Sequence, residues 1–224
     1  LQAHAQSFAT RSMIGQDEAQ KLAVDIVCAV EELLKKEFDE YRKLKKPHPI
    51  MVENNLNFIP FDHEQMDKWR DSLKGGISYI DKDTNLEIFG GVDDIWFDKD
   101  KEELVVVDYK AQSKEGAVEK EDYLENKYHQ GYKIQMDVYV HILRKMKFKV
   151  SDTAYFLVCN AIKTPDSFDA KLQFDLTLVP YKTDTSWVED KITEMKSTLE
   201  SSKVPEINKF CEKCMYLETG KKFI

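Results

Sequence analysis

The chain has 224 residues, 42% of them hydrophobic, which is enough for one domain with a full core and a small appendage. Its formal net charge of -8 excludes a protein that coats nucleic acid indiscriminately, because that kind of affinity comes from neutralising phosphates. No run approaches the ~20 apolar residues of a membrane span, and no basic, apolar signal pattern opens the chain, so the expectation is a soluble, cytoplasmic protein with no membrane partner.

The chain opens on Leu1 rather than Met, which leaves room for an upstream segment. From about Asp17 to Lys46, apolar residues Leu22, Ile26, Val30, Leu33, Leu34, Phe38 and Tyr41 recur at helical spacing, and the Pro47 to Pro49 region ends the helix. A short helix is expected near Asp62 to Leu73, with Asp62 and Gln65 at capping-box spacing and Met66, Trp69 and Leu73 on one stripe. Ser78 to Ile80, Leu86 to Phe97 and Leu104 to Lys110 read as a three-strand meander, the last two strands joined by the polar turn DKDKEE. A long helix from about Tyr123 to Met146 follows, then strands Thr153 to Cys159 and Leu172 to Val179. The last helix is opened by Ser186 and Glu189 and packs through Val188, Ile192, Met195 and Leu199. This order predicts an α/β layer arrangement. Two basic clusters, one around Lys35 to Lys46 and one around Arg144 to Lys149, suit either a local anion-binding surface or solvated helix ends.

One stretch is chemically unusual. Val105 to Lys110 reads VVVDYK: three β-branched residues suited to a strand buried on both faces, then an acid and a lysine at i and i+2 that point to the same side. If the hairpin is symmetric about its turn, with Phe97 opposite Leu104, Asp93 faces Asp108. Cross-strand Cβ atoms lie roughly 4.5–5.5 Å apart, and like charges placed there destabilise a sheet. Two readings follow. Either the acids diverge and Lys110 forms an ordinary ion pair at the strand end, or a divalent cation with hard oxygen ligands draws the carboxylates together.

GGVDDIW at Gly90 to Trp96, followed by VVVDYK, resembles the paired motifs of the PD-(D/E)xK nuclease superfamily, in its RecB-like exonuclease branch. Gly90-Gly91-Val92-Asp93 matches the first motif and Asp108-Tyr109-Lys110 the second. YKIQMDVYVHIL supplies Gln135 and Tyr139, similar to the branch's Gln-x-x-x-Tyr motif and one helical turn apart. The resemblance covers roughly residues 31 to 155. It implies a restriction-endonuclease-like core: a central mixed sheet with an antiparallel meander, flanked by helices, in a single domain over residues 1–224 with a tail from about 203. It also implies hydrolysis of DNA phosphodiester bonds, by an exonuclease in repair, recombination or defence, with Mg²⁺ or Mn²⁺ held by Asp93, Asp108 and the Tyr109 carbonyl. Lys110 would hold or deprotonate the attacking water, and Gln135 and Tyr139 would line the site.

Relatives in that branch carry a His or acidic ligand on the helix before the meander. In AVEELLKKEFDEYR, Glu31 lies at the edge of the apolar stripe, Glu32 opposite it and Glu37 near its middle, so Glu31 is the expected ligand and Glu37 the reserve. The alternative for the whole chain is a nuclease-fold DNA-binding or assembly module without activity. Facing carboxylates beside a lysine favour the enzyme, because a scaffold has no physical use for them.

Four cysteines do not make the dense framework of a small secreted protein, and thiols are expected rather than disulfides. Cys211 and Cys214 have the spacing of half a zinc or iron–sulfur site. Some RecB-like nucleases close their termini with a four-cysteine iron–sulfur cluster, but Cys28 and Cys159 sit in a helix and a strand, outside any ligand-like run. The histidines suggest no other chemistry. No Gly-rich phosphate loop with its lysine appears, and no serine or cysteine nucleophile motif.

Overall fold

The computed structural model describes residues 17–203 together with 205, 206, 211, 214 and 216, and side chains from Val27 onward. Its elements, in chain order, are α1 (Asp17–Leu44), α2 (Pro49–Glu53), β1 (Phe58–Pro60), α3 (Met66–Arg70), β2 (Ile77–Ile80), β3 (Glu87–Gly90), β4 (Asp94–Asp98) and β5 (Glu103–Gln112). After these come α4 (Lys120–Glu125), a 3-10 turn (Lys127–His129), α5 (Gln130–Lys145), β6 (Thr153–Ala161), β7 (Phe174–Lys182) and α6 (Val188–Glu200).

Five strands form a mixed sheet in the order β1-β4-β5-β6-β7, in which β5 and β6 are parallel and every other pair is antiparallel. With helices over it, this is the α/β, restriction-endonuclease-like arrangement expected. The two prolines in its strands, Pro60 and Pro180, lie on the edge strands β1 and β7, where a missing N–H costs least.

Strand β5 is central, which explains its apolar run. Val105, Val107 and Tyr109 point to one face and pack with Trp96 and with Leu34 and Phe38 of α1. Phe38 stacks on Trp96 with ring centroids 5.3 Å apart. Leu104 and Val106 point to the other face, where they join Ile95, Phe156 and the α5 residues Met136 and Val140. Each of these fully buried side chains contributes about 1.5–3 kcal/mol. The same alternation sends Asp108 and Lys110 to the α5 face.

Several expected boundaries differ. Leu86 to Phe97 is two strands, because the chain leaves the β2–β3 hairpin at Gly91. That hairpin is a separate two-stranded sheet, and the meander of the main sheet is β1-β4-β5. Local glycine geometry makes the break. A Cβ on Gly91 would lie 2.7 Å from Ser72 Cα, and the Val92 N–H donates to the Trp69 carbonyl at 3.0 Å. The short helix begins only at Met66, with no side-chain cap, and Leu73 lies beyond it at 91% exposure. The long helix breaks at Asn126, whose extended backbone and side-chain bond from Tyr128 N–H start the 3-10 turn. Ser186 donates to Asp184 rather than capping α6, and Leu33 and Leu199 face solvent. Among the described residues no helix is long and apolar enough to cross a membrane.

The face away from α1 holds a titratable lock. The imidazole Nε2 of buried His141 on α5 lies 2.8 Å from the Tyr79 hydroxyl of β2. Burial, with Lys145 nearby, holds its pKa below the ordinary 6.5. A depressed histidine contributes stability that is present above the unfolded value and lost as pH falls through the folded one. Urea midpoints are therefore expected to fall between about pH 7 and pH 5, with a shallower fall in His141→Gln.

Candidate active site

The β4–β5 register pairs Asp94 with Val107 and Phe97 with Leu104, as the symmetric hairpin requires. Asp93 lies one residue before this ladder and closes it with its side chain: the Tyr109 N–H donates to Asp93 Oδ2 at 2.7 Å. That bond holds the carboxylate beside Asp108. Burial first, and then the Asp108 charge, push the Asp93 pKa well above the usual carboxylate range, against the pull of Lys110 and Lys35.

Asp108 is 1% exposed. Lys110 Nζ lies against its Oδ2 as an ion pair, yet neither carboxylate oxygen has a hydrogen bond of ordinary geometry. Burial works to lower the Lys110 pKa, but Asp108 and Asp93 outweigh it and raise the pKa above 10.5, so the amine is a cation. It also sits 4.6 Å from the centre of the Tyr132 ring.

Helix α5 builds the wall. Gln135 Nε2 donates to the Tyr139 hydroxyl at 2.7 Å, which keeps the ring pointing at the hairpin. A Cβ on Gly90 would lie 2.5 Å from Tyr139 Cε1, so the first glycine of the motif is the one residue that lets this ring approach. Burial raises the Tyr139 pKa against the Gln135 bond, and Asp108, Asp93 and Glu31 raise it further.

Of the two candidates on α1, Glu31 faces the site and Glu37 does not. Glu37 Oε1 is 2.8 Å from Nε2 of His48, the residue that caps α2. Glu31 is paired with Lys35, whose Nζ lies 3.8 Å from Asp93 Oδ1. Cys28 is exposed on α1 and Cys159 is buried in β6. Cys211 and Cys214 are half-buried in the tail, most of which lies outside the described residues.

One cluster escaped the sequence reading. Asp94, 0% exposed, points to the opposite face from Asp93. Its Oδ1 is ion-paired with Arg42 of α1 and lies 2.8 Å from Arg70 Nη2, and its Oδ2 accepts from the Tyr109 hydroxyl at 2.9 Å. Asp39 closes the cluster by binding both arginines. The residue next to Asp93 thus anchors α1 and the Tyr109 ring behind the site. Strand alternation turns the second Asp of GGVDD inward, and that was the available signal.

Among the described residues no three His, Cys, Asp or Glu side chains converge closely enough to form a metal cage. A cage is not what the hard ion of such a site requires, since Mg²⁺ is usually bound by one or two carboxylates, with waters and substrate phosphate completing its shell. The buried Asp108 Oδ1, which has no partner among the described residues, together with the adjacent Asp93, fits that requirement.

A mixed sheet with two acids and a lysine converging at a hairpin defines a class of phosphodiesterase scaffold. The chain belongs to the PD-(D/E)XK nuclease superfamily, whose family model matches residues 3–219. Members of this superfamily generally hydrolyse phosphodiester bonds and typically use Mg²⁺ or Mn²⁺. A comparison with curated proteins found no match.

Proposed function

We propose that the chain is a divalent-metal-dependent deoxyribonuclease of the RecB-like exonuclease branch, acting on DNA ends in repair, recombination or defence. We read it as one nuclease domain with a cysteine-bearing tail. The observation that carries the proposal is Asp108: a buried carboxylate whose Oδ1 has no partner among the described residues and whose Oδ2 meets only the Lys110 ammonium, beside a second carboxylate, is costly to maintain unless a cation and an anionic substrate meet there.

In this reading Asp93, Asp108 and the Tyr109 carbonyl would hold Mg²⁺ or Mn²⁺, with Glu31 of α1 as the further ligand. When bound there, the ion would supply a water of lowered pKa and polarise the scissile phosphate. The Tyr109 amide keeps the Asp93 carboxylate turned toward Asp108. Lys110 Nζ carries a proton, so it donates to the attacking water and offsets the charge that builds on the phosphate. Tyr139 accepts from Gln135 and keeps its own hydroxyl proton for a phosphate oxygen.

Linear and circular DNA, incubated with Mn²⁺ or with chelator, test the proposal. Degradation of linear DNA is expected only with Mn²⁺, and circular DNA is expected to survive. No cleavage of any DNA in Mn²⁺ would overturn the nuclease reading, and cleavage of closed circles would overturn the exonuclease reading.

A further inference from the structure

Lys35 is absent from the motifs above, yet it stands inside the site. It follows Glu31 by one helical turn on α1, pairs with Glu31 Oε1 and has its Nζ 3.8 Å from Asp93 Oδ1. Its side chain is only 21% exposed, so the amine lies at the mouth of the site rather than in open solvent. Lys110 is ion-paired with Asp108 and also acts on Asp93, while Lys35 pairs with Glu31 and approaches Asp93 from the helix side. The Lys35 ammonium therefore stands between the helix carboxylate and the strand carboxylate, where it competes for Asp93 with a divalent cation held at Asp93 and Asp108. Two cations cannot both be nearest to Asp93 at that distance without strong mutual repulsion.

We propose that Lys35 is a displaceable counter-ion that becomes a substrate clamp. In the metal-free protein it pairs with Glu31 and offsets part of the charge at Asp93. Once a divalent cation takes over those carboxylates, the Lys35 ammonium turns to the next anion at the mouth of the site, a phosphate of the nucleic-acid backbone. Lysine chemistry suits this exchange: a compact charge on a flexible four-carbon stem changes partner easily, whereas an arginine fork would grip Glu31 through two bonds. The inference rests on the metal-dependent reading above and adds a residue to it.

The test uses the full chain, with Lys35→Met to keep the stem and remove the charge, and Lys35→Arg to keep the charge. Calorimetric titration with Mn²⁺ in the absence of DNA is expected to show Lys35→Met binding about fivefold tighter or more than wild type, from the loss of a competing unit charge. Binding of labelled DNA in Ca²⁺ is expected to weaken about fivefold or more in Lys35→Met and to recover in Lys35→Arg. Mn²⁺ binding that is unchanged or weaker in Lys35→Met overturns the counter-ion, and unchanged DNA binding overturns the clamp. Wild type that binds no Mn²⁺ overturns the metal-dependent reading itself. Wild type that binds Mn²⁺ no more weakly than Lys35→Met overturns the Lys35 inference alone.

Discussion

Asp108→Asn is expected to lower the rate of DNA hydrolysis at saturating Mn²⁺ by about 10³-fold or more, the loss that follows from removing roughly 4 kcal/mol of transition-state stabilisation. The substitution keeps the volume of a 1% exposed side chain, so the β5 packing stays in place. What it removes is charge. A neutral amide offers one oxygen to a cation in place of a carboxylate and leaves the Lys110 ammonium without its partner. Single-turnover rates on linear DNA, with circular dichroism to show that the variant is folded, measure the effect. A folded Asp108→Asn variant that cuts within tenfold of wild type would remove Asp108 from the chemistry. Lys110→Met should also lose activity, while Lys110→Arg should keep part of it if the role is mainly electrostatic.

The second large effect concerns stability. Asp94→Ala is expected to destabilise the fold by about 3–5 kcal/mol, because it leaves Arg42 and Arg70 buried side by side without the carboxylate between them. Both guanidinium side chains are only 7% exposed, so water cannot replace what is lost. Asp39 still binds both arginines, but one carboxylate then carries two charges. The Tyr109 hydroxyl and the Trp96 indole N–H lose their acceptor as well. For a chain of this size the cost corresponds to a fall in Tm of about 6–20 °C. Thermal and urea unfolding of Asp94→Ala and Asp94→Asn measure it. The Asn variant should lose less, since its oxygen still accepts from Tyr109. A change below about 1 kcal/mol in the alanine variant would show that the cluster is not a structural anchor.

Local rules read the hairpin well. A polar turn joins two strands for which a symmetric hairpin was one of two readings, and the structure has that register, with Phe97 opposite Leu104 and Asp93 near Asp108. The shared face of Asp108 and Lys110 needed only the two-residue period of a strand. The one-turn separation of Gln135 and Tyr139 placed them on one helix face, and the structure adds a hydrogen bond between them.

What escaped these rules was decided by partners far apart in the chain. The continuous strand expected from Leu86 to Phe97 breaks because Gly91 must pass against Ser72, a contact that no local pattern encodes. Arg42 and Asp94 are 52 residues apart, and their pairing exists only once α1 has docked on the sheet. The same docking chose between Glu31 and Glu37. A helical wheel ranked both near the apolar stripe, but His48 engages Glu37, and the approach of Asp93 leaves Glu31 and Lys35 facing the acids. Periodicity and turn chemistry act within about ten residues and so settled the strands and the motif acids. Long-range burial and charge pairing settled which helix charges stand beside them.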